Sequence, residues 1–159
     1  MTATARSVQP QRELTLTRVF DAPRQLVFRM WTDPAHMARW WGPQDFTNPV
    51  CELDVRAGGR IRIHMRAPDG TVHPMSGTFR EVVPSERLVF DAVAEDMAGK
   101  PLLEAHTVVT FEDHDGGRTR LVLEARAVGI APVAAGMLAG MEAGWTQSLA
   151  RLSDLLRRP

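Results

Sequence analysis

The chain has 159 residues, 44% hydrophobic and 24% charged; these are the proportions of a globular protein, and the length allows one domain with a sizeable core. Lys+Arg and Asp+Glu are equal at 19, so the basic excess of a nucleic-acid binder is missing. The single cysteine, Cys51, excludes an internal disulfide framework, and no apolar run reaches the roughly 18 residues of a membrane-spanning helix.

Residues 1–12, "MTATARSVQPQR", lack the apolar core of a signal peptide. They read as a disordered lead-in to one domain over 13–157, with the cytoplasm as the expected compartment. "ELTLTRVF" alternates and is rich in strand formers, which predicts a first strand. Asp21 then offers a helix N-cap and Pro23 suits a first turn, and "PRQLVFRMWT" places Leu26, Val27, Met30 and Trp31 on one helical stripe. "DPAHMARWW" repeats the device, with Asp33 as cap, Pro34 at the start, and Met37, Trp40 and Trp41 at helical spacing. Gly42-Pro43 ends it, so two short helices are expected after the first strand.

From residue 50 the hydrophobic period falls from 3.6 to 2. "VCELDVR", "RIRIHMR", "VHPMSGTFREV", "RLVFDAV", "EAHTVVTFE" and "RTRLVLEAR" read as six strands of an antiparallel meander, separated by Gly-Gly, "PDG", "PSE", "AEDMAGKP" and "DHDGG". Anchored on Ile61, Ile63 and Met65, alternation predicts an inward face. It continues through His73, Met75 and Phe79, then Phe90, then Thr107, Val109 and Phe111, and ends at Leu121 and Leu123. From Pro132 to Leu156 the chain reads as one long amphipathic helix carrying Met137, Met141, Trp145, Leu149, Leu152 and Leu156. Gly136, Gly140 and Gly144 recur inside it; each costs roughly 0.5–1 kcal/mol against alanine, so either something packs close there or the first half is kinked.

A curved antiparallel sheet needs one face covered, and the terminal helix is the one element of suitable length. The expected fold is therefore α+β: a seven-stranded antiparallel sheet wrapped around a C-terminal helix, with two short helices closing one end. Between them a cavity is geometrically easy. Candidate lining residues are Ile63, Met65, His73, Met75, Phe79, Phe90, Thr107, Val109 and Phe111 from the sheet. Met141, Trp145 and Leu149 join them from the helix, and one ring of the Trp40-Trp41 pair closes the site. His73 and Thr107 are the polar members of this set, as a small-molecule pocket requires. His73 also fits the exposed end of its strand.

Catalytic and metal patterns are weak. Glu104 and His106 share a strand face, but the outer one, where a solvated pair is expected. Five histidines without ligand spacing and one cysteine predict no metal site, and no nucleophile elbow, P-loop or dinucleotide fingerprint occurs, so no cofactor is expected.

The motifs "VFDAP", "VFRMWTDPAHMARWWGP", "DVRAGGRIRI", "GTFREVVPSERLVF", "TVVTFED" and "GMEAGWTQSLARLSDLL" occur in order from about Glu13 to Leu156. They resemble the bacterial single-domain members of the family named for the activator of heat-shock protein 90 ATPase, within the START-like helix-grip superfamily. That resemblance implies seven antiparallel strands gripping a C-terminal helix around an apolar pocket. It implies an apolar or aromatic small-molecule ligand such as a lipid or polyketide, and is compatible with a small homodimer. The alternatives it leaves open are a START-like cyclase, dehydratase or hydrolase, and a chaperone-associated protein.

Overall fold

The computed structural model describes residues 10–157; most of the expected lead-in therefore lies outside the described residues. Strand β1 (Gln11–Phe20) is followed by helices α1 (Arg24–Thr32) and α2 (Pro34–Met37). Then come β2 (Thr47–Leu53), β3 (Arg60–Arg66), β4 (Val72–Val83), β5 (Arg87–Glu95), β6 (Pro101–His114) and β7 (Arg118–Gly129), and finally α3 (Ala134–Ala139) and α4 (Met141–Arg157). The strands form one antiparallel sheet in the order β1-β7-β6-β5-β4-β3-β2. It is a meander with the first strand returned to the edge beside the last.

Local chemistry explains the short elements. Asp33 caps α2 by accepting from the Ala35 N–H at 2.9 Å, with Pro34 at the first helical position. Asp21 does not cap α1: the N-cap position is Pro23, which offers no side-chain acceptor. The entry to α1 is held instead by the fully buried Thr119, whose hydroxyl donates to Ala22 O at 2.6 Å. The helical spacing through Trp40 and Trp41 extends only to Met37 as helix; turns carry the chain on, with the Trp41 N–H donating to Met37 O.

The C-terminal segment is also divided. Gly140 (φ −90°, ψ 0°) separates α3 from α4. A Cβ built on Gly136 or Gly144 meets nothing within 4 Å, so close packing does not account for these two, and the break falls at Gly140 alone.

Cross-strand register makes the inward face continuous. Ile63 opposes Met75 and Met65 opposes His73; Phe79 opposes Phe90, and Phe90 opposes Thr107. Val109 opposes Leu123 and Phe111 opposes Leu121. The face is uneven along its length. One row runs Gly77–Ala92–Ala105–Ala127 across four strands, all small. The rows towards the α1 end carry Phe79, Phe90, Val109, Phe111, Leu121 and Leu123, all buried. They pack with the fully buried Trp31 and Trp40, Trp31 meeting Phe111 edge-on at 6.4 Å. The core fills the sheet at that end, and over the small row it does not.

Candidate functional site: an apolar cavity between sheet and helix

All four tryptophans meet in one cluster. Trp31 stacks on Trp145 with centroids 6.1 Å apart and lies edge-on to Trp40 at 4.7 Å. Trp41 meets Trp145 at 5.3 Å and 83°, a favourable edge-to-face arrangement. The adjacent Trp40 and Trp41 rings meet edge-on, with centroids 5.8 Å apart. Trp40 turns inward and donates its indole N–H to Met30 O at 2.9 Å, fastening the α2 segment to α1. Trp41 lies at the border of a cavity of about 240 Å³.

The floor of this cavity is the small row and its margins: Ala105 and Leu103 on β6, Ala127 on β7, Met75 on β4 and Met65 on β3. Trp41, Gly42 and Pro43 form one wall. Met137 of α3 and Met141, Gly144, Trp145 and Ser148 of α4 form the roof. Small floor residues make the volume, Gly144 adds none to the roof, and thioethers with free rotation border it. A second hollow of about 10 Å³ shares Trp41 and Met75 with the cavity and is bordered by Trp31; that is room for about one water.

The wall segment is tied to the roof. Gly42 has φ +95°, a conformation that strains any L side chain, and a Cβ there would lie 2.9 Å from Met65 Sδ and displace that thioether. Its N–H donates to Ser148 Oγ at 3.1 Å, and Ser148 donates in turn to Gly144 O at 2.9 Å. The Arg151 guanidinium donates to five backbone carbonyls at 2.9–3.2 Å: Arg39, Trp41, Gly42, Pro43 and Phe46. Gln44 N–H adds a bond to Gln147 Oε1 at 3.0 Å. Partial burial pulls the Arg151 pKa below its ordinary value, with the Asp45 charge acting the other way; at neutral pH the group remains a cation.

The site thus combines a preformed apolar hollow with a wall segment locked onto the helix that roofs it. Comparison with known proteins agrees with this architecture. The sequence profile of the Activator of Hsp90 ATPase homolog 1-like proteins matches residues 21–157. The chain belongs to that family. Solved structures similar to it include a protein from Arthrobacter aurescens (TM-score 0.77, 27% identity, covering 92% of this chain and 87% of that one). The AHSA1 protein of Silicibacter pomeroyi is similar too (TM-score 0.76, 27% identity, 91% and 97% coverage). So is a protein from Chromobacterium violaceum (TM-score 0.74, 28% identity, 92% and 99% coverage). No curated protein matches.

Within this family member, five of the candidate residues border the cavity: Trp41, Met65, Met75, Met141 and Trp145. The others lie elsewhere for identifiable reasons. Ile63, Phe79 and Phe90 border only the small hollow. Thr107, Val109, Phe111 and Leu149 are buried in the filled end of the core, and Trp40 is fully buried against Met30. His73 shares the inward face but sits exposed at the start of β4, its ring 6.0 Å from Phe46. Pro43, Leu103, Ala105, Ala127, Met137 and Ser148 border the cavity without having been singled out. The alanines could have been found, since they are the small residues in an otherwise bulky inward alternation.

On the outer face Glu104 is exposed, and His106 does not pair with it. His106 Nδ1 donates to Asp91 Oδ1 at 2.5 Å, and Arg80 Nε donates to Asp91 Oδ2 at 2.6 Å. Burial pushes the Asp91 carboxyl up, and the bonds and charges of His106 and Arg80 more than offset it, leaving the pKa below the ordinary carboxylate value. Among the described residues no cluster of three His, Cys, Asp or Glu suited to a metal occurs, and no helix is long and apolar enough to cross a membrane.

Proposed function

We propose that the chain binds an apolar or aromatic small molecule in the cavity between the sheet and α4. The carrying observation is an apolar hollow of about 240 Å³ whose lining, among the described residues, contains no ionisable side chain. An apolar cavity of about 150 Å³ suffices for benzene, so this one suits a ligand of about ten heavy atoms. Apolar surface in the hollow gives affinity, and the Trp41 and Trp145 rings and the four bordering methionines, Met65, Met75, Met137 and Met141, favour ring systems through aromatic and sulfur contacts. The hydrogen bonds from Arg151 and Ser148 hold the wall in place before the ligand arrives, which limits the ordering cost of binding. An acid–base reaction would have to draw its groups from outside this lining.

Native mass spectrometry of freshly purified protein tests the reading. The expected result is a stoichiometric apolar adduct, absent from Trp145→Ala and retained in the exposed control Glu124→Ala. An adduct that survives Trp145→Ala unchanged would place the ligand elsewhere and contradict the proposal.

A further inference from the structure

We infer that this cavity selects by charge: it takes an uncharged ligand and refuses a carboxylate of the same shape. The inference rests on the binding reading above and narrows the ligand class from "apolar" to "neutral", setting amides, ketones, phenols and alcohols apart from free fatty or aromatic acids.

The argument starts from the cations. A buried carboxylate is tolerated when a guanidinium or ammonium meets it. Among the described residues the fold brings two guanidiniums to the cavity's edges, and both are committed. Arg151 donates to the five carbonyls of the wall segment. Arg12 stands opposite Ala127 of the floor. It donates to Leu138 O at 3.0 Å, to Ala139 O at 3.3 Å and to Glu142 Oε1 at 3.0 Å. Turning either towards a ligand would strip hydrogen bonds from the segments that form the wall and roof. Glu142, next to Met141 of the roof, is the carboxylate that Arg12 already pairs with.

The polar side-chain groups of the lining are neutral: the indoles of Trp41 and Trp145 and the Ser148 hydroxyl. The Ser148 proton is already donated to Gly144 O. Such dipoles can meet a neutral oxygen or nitrogen, but they do not replace the hydration shell of an anion.

The test uses two probes of equal size and shape, 1-naphthamide and 1-naphthoate, titrated calorimetrically into the wild-type chain at pH 7.5. The amide is expected to bind one per chain, and the naphthoate at least tenfold more weakly, because its carboxylate gives up hydration against the apolar lining without gaining a cation. A ratio below tenfold overturns charge selection while leaving the binding reading intact. Silence from both probes overturns the binding reading and the inference with it. A second variant separates charge from shape. Met137→Lys places a cation at the roof and is expected to raise the naphthoate-to-amide affinity ratio at least tenfold. If Met137→Lys folds as wild type by circular dichroism and that ratio does not move, shape and not charge excludes the acid, and the inference fails.

Discussion

The most demanding prediction concerns Arg151. Its guanidinium spans the 39–46 segment through five bonds of 2.9–3.2 Å to main-chain carbonyls. Arg151→Met keeps most of the aliphatic stem and removes every donor. Hydrogen bonds to a charged group contribute about 1.5–3 kcal/mol each when buried, but Arg151 is only partly buried and the outer carbonyls regain water. The Trp41 carbonyl keeps a second donor, the Asn48 side-chain amide at 2.9 Å, so the carbonyl of the buried Gly42 is the one left stranded. Counting that one and discounting the rest gives a loss of about 1–3 kcal/mol. For a domain of this length that is a fall in Tm of about 3–10 °C. Arg151→Lys should fall between, because one ammonium cannot span five acceptors. Thermal and urea unfolding by circular dichroism measure the loss, and amide exchange should show protection falling first in residues 41–46. A Tm within about 2 °C of wild type, with exchange in that segment unchanged, would refute the clamp.

Gly144→Ala should raise stability by about 0.5–1 kcal/mol in urea unfolding, since the added Cβ meets no atom within 4 Å. Asp91 should shape the acid limb of the stability curve. Its folded pKa lies below the ordinary value, so its stabilisation is present above about pH 4 and is lost as pH falls through the folded value. Asp91→Asn should therefore cost stability at pH 7 and flatten the loss below pH 4, as followed by denaturant midpoints across pH. Cys51, whose thiol is pushed up to about 11 by burial and by the neighbouring Glu52, should alkylate with iodoacetamide far more slowly at pH 7.5 than a free thiol and speed up as pH rises.

The fold was readable because its signals are local and periodic. The change from a 3.6 to a 2 residue period at Val50 marks where helices give way to the meander. The alternation of Ile61, Ile63 and Met65 carries the inward face across every strand through register. Chain breaks were less readable. Gly140 divides the C-terminal helix by a single residue whose effect depends on tertiary space, and α2 stops at Met37 although the apolar spacing runs on to Trp41. The site was only half readable for a simple physical reason. Sequence alternation shows which residues point inward, and large apolar ones such as Phe79, Phe90 and Leu149 attract attention. Large residues fill space. The cavity lies over the Ala105 and Ala127 end of the small inward row, and that row exists only once the strands are in register. Arg151 was silent for the same reason: five carbonyls from a segment more than a hundred positions away converge on it only in the folded chain.

Filling the hollow is the most direct test of the central claim. Ala105 lies on the cavity floor and is not fully buried, so Ala105→Leu places its extra methyl groups in the space a ligand would occupy. Calorimetric titration of 1-naphthamide into wild type and Ala105→Leu should show affinity lost at least tenfold in the variant, with its Tm equal to or above that of wild type. Equal affinity in a folded Ala105→Leu would mean that the hollow between sheet and helix is not where the small molecule binds.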